Sequence, residues 1–135
     1  MTRPLQLSEA IDGILGRPYE WGATGPGRFY CLGLGIHLLE VTRGIRLPNP
    51  YNAPPEIFRE FFGRLEEIPP AEATRPLDIL YWKNSADGEA HCVWVEDERW
   101  VVSIETSAGV FRQPYAEALA RATKAFRVRE GGGSQ

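Results

Sequence analysis

Residues 17–34 read Arg17-Pro18-Tyr19-Glu20-Trp21-Gly22-Ala23-Thr24-Gly25-Pro26-Gly27-Arg28-Phe29-Tyr30-Cys31-Leu32-Gly33-Leu34. Glycine and proline at this density make tight turns, and the loop stops at a cysteine where an apolar, helix-like run begins. A cysteine at a helix N-terminus meets backbone N–H groups that lack intrahelical partners, at the positive end of the helix dipole. Both favour the thiolate and lower the thiol pKa from its free value of about 8.5. Gly33 and Gly35 leave room for other backbone or a substrate to come close.

Working outward, the helix that starts at Cys31 is expected to run to about Arg43, with Leu34, Leu38 and Val41 on one stripe and Gly44 as its stop. Upstream, Ser8 reads as an N-cap and Gly16 as a stop for a short helix carrying Ile11, Ile14 and Leu15. Downstream, Pro54-Pro55 opens a helix from Glu56 to about Leu65, whose Phe58, Phe61 and Phe62 are mainly core, with an exposed remainder able to dock a neighbour. From Leu77 the period changes. Strands are expected at 78–82, 91–95, 100–105, 109–112 and 125–128, with turns at 84–88 and 96–98 and a short helix at 115–123. Trp82, Trp94 and Trp100 read as sheet packing, Glu96-Asp97-Glu98 as a solvated turn, and Asp78 as stabilising a local turn. Helices followed by a strand meander predict an α+β domain, with the cysteine helix packed on one face of an antiparallel sheet. One domain spans 1–130, and 131–135 is a flexible Gly-rich tail.

Composition narrows the function classes. A net charge of -3 argues against a surface that tracks phosphates, so no nucleic-acid partner is expected. No run reaches the roughly 18 apolar residues of a membrane span. The N-terminus has no unbroken apolar stretch of the signal-peptide kind, so synthesis in the cytoplasm is expected. No cysteine or histidine spacing of the zinc type occurs, and no metal or cofactor is called for. Cys31 and Cys92 are the only cysteines, and both are expected to be reduced and to point different ways.

A thiolate nucleophile needs a base or ion-pair partner, most often imidazole. His37 lies six residues beyond Cys31 on the same helix. That is about 240° of rotation and about 9 Å of rise, so His37 is read as a helix-surface or core-rim residue. His91 opens a strand that could lie beside the helix N-terminus. Alternation then puts His91, Val93 and Val95 on one face and Cys92 and Trp94 on the other, so if His91 faces Cys31, Cys92 does not. A cysteine in apolar surroundings is more often a small buried hydrophobe, and the residues alone leave both readings open.

Four pieces, in order, resemble the NlpC/P60 family of papain-like cysteine peptidases, which cut the peptide bridges of bacterial cell wall. They are Pro18-Tyr19-Glu20-Trp21-Gly22, Cys31-Leu32-Gly33-Leu34, Pro76-Leu77-Asp78-Ile79-Leu80 and His91-Cys92-Val93, within about residues 13–112. The resemblance implies a papain-like fold with Cys31 as nucleophile and His91 as base. Tyr19 matches the family's site tyrosine, and Trp21 and Tyr30 flank the site as further substrate-binding residues. The third polar residue falls twelve positions after the histidine, at Ser103, with Glu105 on the same strand face as its rival. Tyr30 stands where the family has Asp, Leu32 where it has Ser, Ala23 where it has the loop's second Gly, and Leu77 where it has the Gly of Gly-Asp-Leu. The compact length and the Cys-x-Gly-Leu form look most like the versions carried in phage tails and gene-transfer particles. This implies a peptidoglycan stem-peptide substrate, tail-tip or baseplate partners, and action as part of a virion or tail-like particle. Two alternatives stay open: a structural tail-tip protein with degraded activity, and a thioester-forming acyltransferase.

Overall fold

Trp94 packs against the helix that Cys31 begins, and the two sides of the molecule are registered by that contact. The computed structural model describes residues 4–84 and 88–130. Three helices come first: α1 (Leu7–Asp12), α2 (Cys31–Arg43) and α3 (Pro55–Gly63). They are followed by β1 (Leu65–Ile68), a 3-10 turn (Pro70–Glu72), β2 (Ile79–Lys83), β3 (Ala90–Val95), β4 (Trp100–Glu105), β5 (Gly109–Pro114), α4 (Tyr115–Arg121) and β6 (Lys124–Val128). The strands pair antiparallel in the order β1-β6-β2-β3-β4-β5. Among the described residues no helix is long and apolar enough to cross a membrane.

Strand alternation divides the sheet into two apolar faces. Ile79, Trp94, Val102 and Val110 join Ile11, Leu34, Leu38 and Phe61 in the core beneath α1, α2 and α3. Leu80, Trp82, Val93, Val95 and Val101 face the other way, where Ala118 of α4 and Ala73 cover them. The α+β reading, with N-terminal helices on an antiparallel sheet, holds. α4 adds a layer on the second face.

Local differences from the sequence expectation have local causes. α1 begins at Leu7, not after Ser8, because Gln6 and Glu9 form a reciprocal capping box around its first turn. α3 ends at Gly63, and Leu65 opens a strand instead of closing the helix. Leu65-Glu66-Glu67-Ile68 carries too few apolar residues to announce itself and is made a strand by pairing with β6. Glu96 is not solvated. It is buried and takes two hydrogen bonds from Arg112, at 2.7 and 3.0 Å, while Arg112 also reaches Asp12 at 2.8 Å. Asp78 does stabilise a local turn, as expected, by accepting the Arg75 N–H at 3.0 Å; it is also buried and takes a two-pronged bond from Arg127 at 2.9 Å. Phe61 is buried while Phe58 and Phe62 are exposed. The tail at 131–135 and positions 85–87 of the expected 84–88 turn lie outside the described residues.

Gly35 is what lets α2 sit on β3. A Cβ there would fall inside the fully buried Trp94 indole. Trp94 Nε1–H donates to the Cys31 carbonyl at 2.9 Å, which ties β3 to the first turn of α2. Helix propensity alone favours alanine over glycine by about 1 kcal/mol. Overpacking a closed core costs about 1–3 kcal/mol or more, and here the obstacle is an indole with nowhere to go. Gly35→Ala is therefore expected to lower the urea midpoint by an amount worth about 2 kcal/mol, with an unchanged m value. Gly63→Ala, where a new Cβ meets nothing within 4 Å, is the control expected to be neutral or stabilising.

Candidate active site

The loop before Cys31 is shaped from within. Phe29 is fully buried, and its N–H donates to the Pro18 carbonyl at 3.1 Å while Glu20 N–H donates to the Phe29 carbonyl at 2.9 Å. Tyr30 N–H donates to the Ala23 carbonyl at 3.0 Å. Gly33 admits that carbonyl against the first turn of α2, since a Cβ at Gly33 would strike it. The loop is thus folded back over the helix start and Cys31 is left as the first helical residue.

Asn49 holds the far wall. Its Oδ1 accepts from the Tyr30 hydroxyl at 2.7 Å and from Tyr51 N–H at 3.1 Å, and its Nδ2 donates to the Gly22 carbonyl at 2.9 Å. Four rings gather on this frame. Trp21 meets Tyr19 edge-on at 5.2 Å and stacks over Tyr51 at 6.4 Å, and Tyr30 packs against both Trp21 and Tyr51. Trp21 is 64% exposed, a large apolar ring offered to solvent at the lip. Tyr30 is buried, so it serves as wall more than as contact surface. Asn49 and Tyr51 were not singled out by the sequence, where Pro48-Asn49-Pro50 reads simply as an extended or turned segment.

Cys31 is half-buried and its thiol is held below the ordinary range. The main cause is a hydrogen bond from the Cys92 thiol; the N–H groups of Leu32 and Cys31 add to it, and burial opposes it. Cys92 is pushed the other way, well up, because it donates to Cys31 and because it is desolvated. The two thiols therefore titrate as a pair, with Cys31 the one whose proton is held less tightly. The Tyr19 and Tyr30 phenols are raised first by burial and then by the charge of Cys31 and Cys92, so both stay protonated beside the sulfurs.

The structure does not bring His91 to Cys31. Trp94 must face α2 to pack over Gly35, and Cys92, two residues earlier, faces α2 with it. His91 is thereby turned to the opposite face, where its ring stacks on Trp82 at 5.5 Å with an interplanar angle of 17°. Ser103 and Glu105 share that far face with Val101. Ser103 is buried and its hydroxyl donates to Gln113 Oε1 at 3.0 Å, while Glu105 is exposed at the strand end. The three polar side chains expected to act on Cys31 thus lie together on the wrong side of the sheet for it. The expectation that Cys31 and Cys92 point apart is corrected by the same alternation. His37, packed edge-on against Phe29 at 5.2 Å with its pKa lowered by burial, is a core-rim residue as expected. A concavity of ≈ 420 Å³ at the other end of α2, lined by Pro4, Leu5, Thr42, Arg43 and Pro76, holds no cysteine or histidine.

No family model matches the chain, and no curated protein matches it. Solved structures do. The NlpC/p60 domain of the peptidoglycan hydrolase SagA is similar over 91% of this chain and 97% of its own, at 14% identity and a TM-score of 0.59. A Staphylococcus aureus protein similar to a lipoprotein of the NLP/P60 family aligns over 93% of this chain at 18% identity and a TM-score of 0.63. A Bacillus cereus NlpC/P60 family protein aligns over 94% at 15% identity and a TM-score of 0.62. This chain spans 41% of the length of each of the last two. The likeness establishes the NlpC/P60 fold.

If the Cys92 thiol supports the Cys31 thiolate, alkylation by iodoacetamide, followed by mass spectrometry on the Cys31 peptide, should inflect below the free-thiol value of about 8.5. Cys92→Ala should move the inflection upward, and His91→Ala should leave it in place. A profile that moves with His91→Ala and not with Cys92→Ala would contradict the geometry.

Proposed function

We propose that this chain cleaves peptide bridges of bacterial peptidoglycan as a cysteine hydrolase on the NlpC/P60 fold, with Cys31 as the attacking sulfur. The observation that carries the reading is Cys31 itself: first residue of α2, thiol below its ordinary range, with the Tyr19 and Tyr30 phenols close enough to feel its charge. Tyr19, Trp21 and Tyr51 offer flat apolar surface with polar edges, suited to an extended peptide. The resemblance of the Cys31-Leu32-Gly33-Leu34 stretch to phage-tail and gene-transfer-particle enzymes further supports a tip component of a tail-like particle, in contact with other tail proteins.

The proton traffic is assigned to Cys92 in place of His91. Cys31 thiolate attacks the amide carbonyl, and the N–H groups at the start of α2 stabilise the oxyanion. The Cys92 thiol, the neighbour that lowers the Cys31 pKa, gives its proton to the departing amine as the C–N bond breaks. Water then attacks the thioester, returns a proton to the Cys92 thiolate, and releases the acid with Cys31 as thiolate again. Tyr19, neutral beside the sulfurs, is a hydroxyl donor for the substrate carbonyl region.

A second reading is favoured by the placement of His91 on the far face with Trp82: a protein that binds cell-wall peptide, or a tail neighbour, without turnover. Digestion of purified sacculi, with release of amines and muropeptides as the readout, separates the two. The peptidase reading expects release that is abolished by Cys31→Ala and lowered about 100-fold or more by Cys92→Ala, the lower range for a lost acid–base group. It expects His91→Ala to stay near the parent rate. Sacculus binding with no release by the parent protein would establish the second reading. Loss in His91→Ala equal to that in Cys31→Ala would mean that β3 turns its other face to Cys31 in the working state.

A further inference from the structure

We propose that Cys31 and Cys92 form a peroxide-responsive dithiol that closes to an intramolecular disulfide, joining the start of α2 to β3 and removing the free sulfur from the cleft. The chemistry of the bond stands apart from the peptidase reading; only its effect on activity rests on that reading. Three observations carry it. First, the two cysteines come from distant segments and are directed to the same space by the packing of Trp94 over Gly35 and its bond to the Cys31 carbonyl. The fold spends a buried indole and a glycine on a geometry that makes the thiols neighbours. Second, Cys31, the sulfur that meets the oxidant first, belongs to a residue that is half-buried and not enclosed in the core. Third, the chain has two cysteines and no more, both free thiols here, so no third thiol competes.

The two thiols are also unequal, which sets the order of events. Cys31, the more acidic, attacks the peroxide O–O bond as thiolate, forming a sulfenic acid and expelling hydroxide, which takes up a proton to become water. Cys92 then attacks the sulfenic sulfur. Its thiol proton leaves with the sulfenic hydroxyl as a second water, and the S–S bond forms. Both sulfurs are oxidised and the peroxide is reduced. A reactive cysteine poised beside a resolving one is the arrangement that ends in a disulfide and not in over-oxidation.

The test uses the reduced 135-residue chain and hydrogen peroxide in small excess, followed by thiol counting in denaturant and by intact mass. The expected result is loss of both thiols together, a mass decrease of about 2 Da, the same outcome on tenfold dilution, and full reversal by dithiothreitol. Cys92→Ser should instead carry Cys31 on to the sulfinic acid, a gain of about 32 Da that dithiothreitol does not reverse. If that variant fails to fold, Cys31→Ser is the substitute, and its remaining Cys92 should stay unmodified at the same peroxide dose. Retention of both thiols, oxidation of Cys31 with Cys92 still free, or a disulfide-linked dimer would overturn the proposal. None of these readouts needs peptidoglycan, so absence of hydrolysis and absence of the disulfide are separate outcomes.

Discussion

The indole of Trp94 sets the arrangement of everything near Cys31. It fills the space left by Gly35, it is fully buried, and its Nε1–H satisfies the carbonyl of the first residue of α2. A strand offers two faces and no intermediate choice, so anchoring one residue decides the direction of all the others. With Trp94 under α2, Cys92 must lie under α2 as well, and His91 must face away. Moving β3 by one residue would turn the indole to the face beneath α4, bring His91 to the α2 side and lose the hydrogen bond.

That constraint changes what kind of thiol Cys31 is. Beside an imidazole it would be one half of an ion pair. Beside a second thiol its pKa is lowered by a neutral neighbour and the helix N–H groups, with burial opposing. The support is shorter-ranged and weaker, and it can be consumed by oxidation. The aromatic frame around the cleft is built independently of this choice. Asn49 joins three backbone and side-chain groups from two loops, so the rings of Tyr30 and Tyr51 would be held as they are whichever residue faced Cys31.

The helix at Cys31, the loop before it and most of the strand meander are legible in the sequence because each carries local punctuation. Proline and glycine end the loop, Gly44 ends α2, and apolar alternation marks β2 to β4. The α+β class follows from that order. β1 is not legible, because two of its four residues are exposed glutamates and only pairing with β6 makes it a strand. The face on which His91 lies is not legible either. Alternation states that His91 and Cys92 oppose each other but not which of them looks at α2, and that depends on a contact between residues 35 and 94. Gly35 and Trp94 are both visible in the sequence, yet nothing local reports that one is the socket of the other. Asn49 was missed for the same reason, since its partners are Gly22 and Tyr30, far along the chain.

The central claim is the facing of β3, and aromatic and methylene proton contacts measured by NMR on the reduced protein test it most directly. The account predicts cross-peaks from the His91 ring to the Trp82 indole, and from the Cys31 methylene to the Cys92 methylene. Cross-peaks from the His91 ring to the Cys31 methylene, with Cys92 in contact with Val101 or Ala118 instead, would contradict it.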